Sequence, residues 1–370
     1  MDYSSANILI IAGEASGDRH AARLVARMRA MRPGLRFWGI GGAMLAGEGV
    51  ECVADAARMN VIGFVEVVKH YRFFQSIFNS VLALARERRP ALAILVDYPG
   101  FNLRMARALH REGIRVVYYI APQAWAWKEG RVRSLRENVD DLIVAFPFEV
   151  EYFGRGGINA HFFGHPLVDQ FAELSPGVAA AADGRTTIAY LPGSRPEEIA
   201  RHMPVLRDVM LRLGDGYRHV IPLASTIRRE LIQPYLQGIS FSLVSSAYEA
   251  LAGAGAALVK SGTSTLEATL LGVPFAAFYR TSWGSYQIAR RLIRVAHVAM
   301  PNVLAGRGIV REFVQDDMQA GAMGEELLRL LNDATYRARV AEGLAEVTRM
   351  LGSPGAAERI ASYIVETYLQ

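Results

Sequence analysis

The prediction of the fold starts from one stretch, which reads LVKSGTSTLEA at residues 258–268. Its apolar beginning predicts a buried parallel strand. The strand breaks at Ser-Gly-Thr-Ser, and we expect a helix to follow, with Thr263 or Ser264 as its N-cap and Glu267 in its first turn. A helix N-terminus at the carboxyl end of a strand offers N–H groups and a partial positive charge. Phosphates bind at such places in open α/β sheets.

Glu267 has two interpretations in this position. An acid in the first turn of a helix stabilises the helix dipole, so Glu267 can be a simple capping residue. Its carboxylate can also accept hydrogen bonds from two neighbouring hydroxyl groups, such as those of a ribose. The stretch alone favours the capping role, and the rest of the chain has to decide between the two.

Composition limits the class of protein. The 370 residues suffice for two domains, each with its own core. The net charge of +5 and the excess of arginine suit phosphorylated ligands or an anionic membrane surface, and they are too weak to predict nucleic-acid binding. The single cysteine, Cys52, excludes an internal disulfide and a cysteine-based metal site. No apolar run reaches the ~18 residues of a membrane span, so we expect a cytoplasmic protein.

Strand–helix alternation predicts a doubly wound parallel sheet in the first half of the chain. Its first strand ends at a glycine-rich turn with Glu14 and Asp18, which lacks the spacing of a dinucleotide fingerprint or a P-loop. A later apolar strand ends at Asp97, which should face the crevice where α/β enzymes bind substrates. Asp97 could be a helix cap. However, Asn102 is better placed to cap and Pro99 opposes an early helix start, so a chemical role is favoured.

An unusually apolar stretch occupies residues 59–84. A helix that packs only on a sheet needs a narrower apolar stripe than this one. The stretch is therefore either a fully buried core helix or an exposed surface that docks on a bilayer or holds acyl chains. The residues predicted to form such a surface are Val61, Phe64, Val68, Phe73, Phe74 and Phe78.

The second half repeats the plan after a linker rich in Ser, Pro, Gly and Ala at residues 175–184. One strand ends at LPGSR, residues 191–195, and a helix then opens with Pro196 at its first position. A guanidinium beside a helix N-terminus suits a pyrophosphate, which makes Arg195 a candidate ligand. The alternative is that Arg195 forms an ion pair with Glu198 or Glu249.

Two further sets of residues are candidates for ligand or membrane contact. Trp125 and Trp127 lie in a predicted loop, where the exposure of two tryptophans is unfavourable unless they pack against a ligand or line a pocket. A helix predicted over residues 283–294 carries three arginines that either meet anionic headgroups or form a solvated face. They are Arg290, Arg291 and Arg294.

Seven short motifs follow one another along residues 8–318. They are AGEASGD at 12–18, VDYPGFN at 96–102, AWAW at 124–127, GHPL at 164–167, LPGSR at 191–195, SGT at 261–263 with Glu267, and PNVLAGR at 301–307. Each is weak alone, but the seven together and in this order resemble the lipid-A-disaccharide synthase family. At Ala121 the family usually has serine, so no role is assigned to that position.

The resemblance implies an α/β fold of GT-B architecture, with two doubly wound Rossmann-like domains facing a cleft. It implies an acceptor domain at residues 1–170, a UDP-sugar domain at residues 185–340, and C-terminal helices at residues 341–370 that return to the N-terminal domain. No metal or other cofactor is required by this fold type. The expected location is the cytoplasmic face of the inner membrane of a Gram-negative bacterium, and a homodimer is left open.

The activity that the resemblance implies is inverting transfer of a sugar in lipid A biosynthesis. UDP-2,3-diacylglucosamine would be the donor, and 2,3-diacylglucosamine 1-phosphate (lipid X) would be the acceptor. The products would be UDP and the β-1′,6-linked disaccharide 1-phosphate. Inversion needs one general base for the 6-hydroxyl of the acceptor. We predict Asp97 as this base, with Glu14 as the alternative base or as an acceptor ligand.

The same resemblance implies roles for further residues. The diphosphate of the donor would lie between two turns, with Glu267 on the ribose hydroxyls and Asn302 facing the nucleotide. The residues of the two turns are Ser194, Arg195, Ser261, Gly262 and Thr263. The acceptor or its loops would involve Asp18, Asn102, Trp125 and Trp127.

Two rival interpretations stay open. The first is another UDP-sugar-dependent GT-B enzyme, such as the lipid II-forming transferase or a UDP-N-acetylglucosamine epimerase. The second is a non-catalytic protein that binds UDP-lipids, against which the presence of Asp97, Arg195 and Glu267 argues.

Overall fold

The chain divides into two compact units. The computed structural model describes residues 6–56, 59, 71–125, 130–174, 186–224, 227–292 and 296–370. The first unit comprises Met1–Asp169 and Gly352–Gln370, and the second comprises Gln170–Leu351. Each unit contains one sheet whose described strand pairs are all parallel. The α/β class predicted from the sequence is confirmed.

The described part of the first unit has a seven-stranded sheet in the order β3-β2-β1-β4-β5-β6-β7. Its strands are β1 Asn7–Ala12, β2 Arg36–Gly41, β3 Glu51–Asp55, β4 Leu92–Val96, β5 Val116–Tyr119, β6 Asp141–Val144 and β7 Ala160–Phe162. Its helices are α1 Ala15–Met31, α2 Ala43–Gly47, α3 Tyr71–Arg88, α4 Pro99–Arg111, α5 Gly130–Asn138 and α6 Pro147–Arg155, while α7 Pro166–Leu174 contains the unit boundary.

The described part of the second unit has a six-stranded sheet in the order β10-β9-β8-β11-β12-β13. Its strands are β8 Thr187–Leu191, β9 Arg218–Pro222, β10 Phe241–Val244, β11 Ala256–Lys260, β12 Phe275–Tyr279 and β13 Glu312–Val314. Its helices are α8 Pro196–Leu213, α9 Arg229–Ile232, α10 Ala247–Ala252, α11 Thr263–Leu270, α12 Trp283–Leu292, α13 Met300–Ala305, α14 Ala320–Asn332 and α15 Ala334–Met350. Short 3-10 helices occupy Gly214–Gly216, Gln233–Leu236 and Gln315–Asp317.

The central strands of the first unit are almost entirely apolar because both faces of its sheet are covered. In β1, Ile8 and Ile10 belong to one apolar layer of the first unit, whereas Leu9 and Ile11 belong to the other. All four side chains are fully buried. A parallel sheet covered on both faces requires this continuous pattern rather than alternation of apolar and polar residues.

The last helix, α16 Ala356–Tyr368, packs in the first unit against α1. Its apolar side chains Ile360 and Ile364 are buried in the same layer as Ile8. Asp169 caps its N-terminus, because the two carboxylate oxygens accept from the backbone N–H groups of Gly355, Ala356 and Ala357 at 2.7 to 3.0 Å.

A buried carboxylate fixes the other end of α16. Asp141, at the start of β6, is 3% exposed and accepts a hydrogen bond from the hydroxyl of Tyr363 at 2.7 Å. The hydroxyl of Tyr368 and the amide of Asn159 donate to the same carboxylate. The Nε2 atom of His161 lies 3.1 Å from it. Two tyrosines of α16 are thereby attached to one residue of the sheet.

Three local features differ from the sequence prediction. A helix starts at Pro99, where an early start was not expected, because a proline at the first position lacks only an N–H that would have no acceptor there. Neither the short helix Met300–Ala305 nor the short strand Glu51–Asp55 was predicted from the sequence. No described helix is long and apolar enough to span a membrane.

Candidate functional site

Two glycine-containing turns meet in the second unit, where the strand order reverses. β8 and β11 are parallel neighbours with Leu191 opposite Val259, and each strand runs directly into one of the turns. Ligands bind beside such a reversal in open α/β sheets, at the carboxyl ends of the strands. A cavity of about 300 Å³ lies at this place. Its lining includes residues 191–195 from the first turn and residues 260, 262, 263 and 264 from the second.

The first turn closes around a carboxylate. The Oε2 atom of Glu198, in the first turn of α8, accepts a hydrogen bond from the backbone N–H of Ser194 at 3.0 Å. Gly193 has a φ of +122°, and a Cβ atom at this residue would lie 2.3 Å from the same oxygen. Both the backbone conformation and the space therefore require glycine at this position. Ser194, which was expected to lie beside the diphosphate, thus donates its backbone N–H to Glu198.

Two cations accompany the Glu198 carboxylate. The Nζ atom of Lys260 lies 3.0 Å from Oε1, and Nη1 of Arg195 lies 3.9 Å from it. Burial opposes the ionisation of Glu198, but Lys260, the Ser194 N–H and Arg195 outweigh this effect and lower its pKa. The ion pair that the sequence offered as the alternative role of Arg195 is thus present. It is long, and 55% of the Arg195 side chain stays exposed, so the guanidinium can still reach a ligand.

The second turn enters α11 differently from the prediction. Gly262, with a φ of +142°, is the N-cap, and the helix begins at Thr263. Thr263 and Ser264 are therefore not the cap. Glu267 lies beyond the first turn, and its capping role was wrong. Its side chain is half-buried on α11. The first N–H groups of α11, at Thr263 and Ser264, have no acceptor within the helix.

Ser261 is engaged inside the unit. Its backbone N–H donates to the carbonyl of Phe278 at 2.8 Å, and its hydroxyl donates to the carbonyl of Val298 at 2.5 Å. These two bonds join the second turn to β12 and to the segment before α13. The structure therefore places Ser261 as a support of the turn, whereas its N–H was predicted to bind phosphate.

Asn302 is also placed as a structural residue. It is buried, and its amide nitrogen donates to the carbonyl of Val310 and to Oε1 of Glu312, each at 2.8 Å. Its amide oxygen accepts from the N–H groups of Ile309 and Val310 at 2.7 and 2.9 Å. The amide thus holds the chain between α13 and β13, and the prediction that it faces the nucleotide is not supported by this geometry.

A buried histidine, His202, connects the first turn to the end of β12. Its Nδ1 atom lies 2.7 Å from the carbonyl oxygen of Pro192, and its Nε2 atom lies 3.1 Å from the backbone nitrogen of Arg280. Burial lowers the pKa of His202. The neutral ring then donates from Nδ1 to Pro192 and accepts at Nε2 from Arg280. Because Pro192 lines the cavity, His202 fixes one of its walls.

The first unit has its own reversal of strand order, between β1 and β4. These strands are parallel neighbours with Ala12 opposite Val96. Asp97 follows β4 directly, and Glu14 is the second residue after β1. The two predicted acids therefore lie at adjoining strand ends, which is where this class of sheet binds its ligands.

The backbone at Asp97 is strained and strongly supported. Asp97 and Tyr98 both have positive φ angles, +46° and +50°, which are uncommon for residues other than glycine. The N–H of Asp97 donates to the carbonyl of Tyr119 at 2.9 Å. The Asp97 carbonyl accepts from the hydroxyl of Tyr118 at 2.6 Å and from the amide of Asn102 at 2.7 Å. These contacts hold the residue in one orientation.

The surroundings of Asp97 favour its protonated form. Burial raises the pKa of Asp97 to about 6, and the negative charge of Glu14 adds to this effect. The N–H of Tyr98 and the charge of Arg131 oppose it. A carboxylate with a pKa this close to neutrality is suited to accept a proton during a reaction.

Gly13 of the first motif is in direct contact with Tyr98 of the second motif. A Cβ atom on Gly13 would lie 2.4 Å from Cδ1 of Tyr98, so the Tyr98 ring packs directly over the glycine. The Tyr98 hydroxyl donates to the carbonyl of Met59 at 3.0 Å. The ring next to Asp97 is therefore held at both ends.

Asp18 has a structural role, although the sequence suggested the acceptor or its loop. The side chain is buried, and it accepts hydrogen bonds from the backbone N–H groups of Gly42, Met44 and Leu45 at 2.7, 3.0 and 3.3 Å. These donors belong to the start of α2, so Asp18 caps that helix from a neighbouring element.

Asn102 and Trp125 are also bound within the first unit. The amide nitrogen of Asn102 donates to the carbonyls of Val96 and Asp97. The residue lies inside α4 and does not cap it. The indole N–H of Trp125 donates to Glu149 at 2.8 Å. Trp127 lies outside the described residues.

Of the apolar stretch, the structure describes Met59 and the residues from Tyr71 onward. Val61, Phe64 and Val68 lie outside the described residues. Phe73, Phe74 and Phe78 lie on α3 and are half-buried, and Phe78 packs edge-on against Phe101 with ring centroids 5.7 Å apart. The described part of the stretch is neither fully buried nor fully exposed.

Comparison with known proteins assigns the family. The family model described as "Lipid-A-disaccharide synthetase" matches residues 8–358. The lipid-A-disaccharide synthase of Anaeromyxobacter dehalogenans (strain 2CP-C) is 42% identical over 369 residues, which cover 97% of this chain and 96% of that protein. The lipid-A-disaccharide synthase of Geobacter sulfurreducens is 38% identical over 376 residues, with 99% and 98% coverage.

Solved structures support the fold at much lower identity. The UDP-GlcNAc 2-epimerase from Neisseria meningitidis, bound to UDP-GlcNAc, is 13% identical with a TM-score of 0.69, covering 98% of this chain and 100% of that one. A calicheamicin glycosyltransferase is 14% identical with a TM-score of 0.59, covering 98% and 99%. These likenesses confirm the GT-B class of fold. The sequence matches cover nearly the whole chain, and they show that it belongs to the lipid-A-disaccharide synthetase family and is a glycosyltransferase of this type.

Proposed function

We propose that this enzyme transfers the sugar of UDP-2,3-diacylglucosamine to the 6-hydroxyl of lipid X, which yields the β-1′,6-linked disaccharide 1-phosphate and UDP. Membership of the family supports the reaction. We assign nucleotide binding to one unit and proton transfer to the other, because the sheet of each unit has one reversal of strand order and the two places differ in chemistry. The second unit has a cavity with cations and helix N–H groups. The first has a carboxylate whose pKa is near neutrality.

The cavity of the second unit is the proposed site of the nucleotide. The diphosphate would accept hydrogen bonds from the first N–H groups of α11 and from the exposed guanidinium of Arg195. Glu267, which is half-buried on α11, would accept hydrogen bonds from the two ribose hydroxyls. Ser261 and Asn302 would act indirectly, by holding the turn and the segment around α13.

Asp97 is the proposed general base. As the 6-hydroxyl of the acceptor attacks the anomeric carbon, its proton moves to the Asp97 carboxylate, and the bond from the anomeric carbon to the β-phosphate oxygen breaks. UDP leaves with the bonding electrons. A single displacement of this kind inverts the anomeric centre, in agreement with a β-linked product from an α-linked donor.

The acyl chains of both substrates require apolar surroundings and access to a bilayer. We propose that the half-buried Phe73, Phe74 and Phe78 on α3 belong to this surface, together with the segment that precedes them. On α12 of the second unit, Trp283 is 77% exposed and Arg290 is also exposed. An exposed aromatic and an exposed basic side chain on the same helix suit the interface of an anionic membrane.

The reaction is tested by incubating the purified enzyme with UDP-2,3-diacylglucosamine and lipid X in detergent micelles. We expect equimolar UDP and a disaccharide 1-phosphate, identified by mass spectrometry. Omitting lipid X should abolish UDP release, which excludes simple hydrolysis. If the enzyme instead epimerised UDP-N-acetylglucosamine, or transferred its sugar to lipid I, one of the rival UDP-sugar activities would replace this proposal.

Glu14→Gln separates the two candidate bases. Because the charge of Glu14 raises the pKa of Asp97, its removal should move the acidic limb of the kcat/KM profile to lower pH and leave the plateau within about tenfold. The profile is measured from pH 4.5 to 9 in wild type and variant. A plateau lowered by more than about a hundredfold, with no shift of the limb, would make Glu14 the base instead.

A further inference from the structure

We propose that Lys260 donates hydrogen bonds to the diphosphate of the bound nucleotide and that Glu198 positions its ammonium group for this contact. The inference rests on the proposed function and goes beyond it, since neither residue was given a role in binding the nucleotide.

The position of Lys260 carries the argument. It is the last residue of β11, and its Nζ atom lies 3.0 Å from Oε1 of Glu198, which the first turn encloses. The same atom lies 3.3 Å from the place where a Cβ atom on Gly262 would stand, at the start of the second turn. The ammonium group is therefore between the two turns that line the cavity. Only 20% of the Lys260 side chain is exposed, so its charge is partly removed from water.

A diphosphate in the cavity would lie close to the negative charge of Glu198, and the positive charge of Lys260 offsets that repulsion. Glu198 places a carboxylate directly behind the turn at which the diphosphate would bind, and two anions this close repel each other. Lys260 and Arg195 outnumber the carboxylate by one charge. Without Lys260, the charges of Glu198 and Arg195 would cancel, and these two residues would exert no net attraction on an entering diphosphate.

Lys260 has the donors for both partners. An ammonium group carries three N–H donors, and Glu198 takes one of them. The ring of Tyr279, with its centroid 5.6 Å from Nζ, supports the charge from another side without using a donor in a conventional hydrogen bond. Donors thus remain for phosphate oxygens.

The test compares the affinity for UDP of four proteins by isothermal titration calorimetry: wild type, Lys260→Met, Lys260→Arg and Arg349→Met. Lys260→Met should weaken UDP binding about 10- to 100-fold, as expected for a lost charge-assisted hydrogen bond. Lys260→Arg should stay within about fivefold. The control removes an equal charge at Arg349, which is exposed on α15 and does not line the cavity, and it should change the affinity by less than about twofold.

A double variant separates a ligand contact from simple neutralisation of Glu198. If Lys260 only neutralises Glu198, then Lys260→Met combined with Glu198→Gln should restore the affinity for UDP. On our proposal the double variant stays at least about tenfold weaker than Glu198→Gln alone, because the donor to phosphate is still missing. Thermal unfolding of each variant verifies that it is folded at the temperature of the titration.

The outcomes distinguish this inference from the function on which it rests. Wild-type protein that fails to bind UDP would overturn both. Wild-type protein that binds UDP, with unchanged affinity in Lys260→Met or restored affinity in the double variant, would overturn only the role of Lys260.

Discussion

Asp97→Asn should lower kcat by a factor of about 10² to 10⁴, with the affinity for UDP unchanged within about threefold. The amide is nearly isosteric with the carboxylate, but it cannot accept the proton of the acceptor hydroxyl. The proposed nucleotide site lies in the other unit, so binding of UDP should not depend on this residue. Steady-state rates of UDP release and calorimetric titration with UDP measure the two quantities. A variant that retained more than a tenth of the wild-type rate would refute the base assignment.

The same substitution should make the protein more stable. The pKa of Asp97 is raised from 3.8 to about 6, so the folded state binds a proton more tightly than the unfolded state. The tighter binding of the proton stabilises the folded state fully below pH 3.8, and this stabilisation is lost as the pH rises through about 6. Above that pH the buried charge of Asp97 destabilises the fold. Asn carries no charge, and at pH 8 it should raise the free energy of unfolding by about 1 to 3 kcal/mol.

Denaturant unfolding at pH 8 and pH 5 measures this effect. The gain in stability of Asp97→Asn should shrink toward pH 5, where more of the wild-type carboxyl is protonated. In the wild type, the acidic limb of kcat/KM should have an apparent pKa of about 6, because only the ionised carboxylate is a base. An acidic limb near pH 4 would contradict the raised pKa.

Asp141→Ala should have the largest effect on stability, a loss of about 3 to 5 kcal/mol. The substitution removes a buried acceptor shared by Tyr363, Tyr368 and Asn159, and it leaves the hydroxyl of the buried Tyr368 without this partner. Both tyrosines belong to α16, so this helix should lose its attachment to the sheet first. Hydrogen exchange should show faster exchange in peptides from α16, while peptides from β11 and α11 in the second unit keep their protection.

Glu358→Ala is the matched control for this prediction. Glu358 also lies on α16, but its ion pair with Arg27 is 3.6 Å long and both side chains are more than half exposed. Such pairs contribute little, and we expect a change within about 0.5 kcal/mol. If Asp141→Ala were no more destabilising than Glu358→Ala, the buried carboxylate would not anchor the helix.

The fold class could be predicted from the sequence because the strands of a covered parallel sheet have an unmistakable pattern. Continuous apolar runs such as those of β1, β4 and β11 each end at a polar or glycine-rich turn. Helix starts were harder to place. Pro99 was interpreted as opposing a helix, although the first helical position tolerates it. Hydroxyl residues were preferred as caps at 263 and 264, although the unusual φ of Gly262 makes that glycine the cap.

The pairing of the two turns in the second unit could be predicted from the sequence, but the contacts of their polar groups could not. The ends of β8 and β11 were expected to form one site, and the register of these strands brings their turns together. A polar side chain can bind a ligand only if it is not already bonded to another part of the protein, and those bonding partners lie far away in the sequence. Asp18 bonds to α2, and Asn302 bonds to the segment before β13.

Lys260 and Glu198 show the opposite case, because only their contact reveals them. They are 62 positions apart in the chain, and nothing in the sequence pairs one with the other. The one available signal was a lone lysine at the end of a buried strand, which is an unfavourable place for an unpaired charge.

The contact of Asp169 with α16 also has a consequence for folding during translation. The residues that it joins, Asp169 and Ala356, are 187 positions apart. At about 5 to 20 residues per second, the ribosome needs roughly 10 to 40 s to make the chain between them. During that time the face of α1 that packs against α16 has been synthesised without the helix that covers it. The unit whose synthesis begins first is therefore the last to be completed.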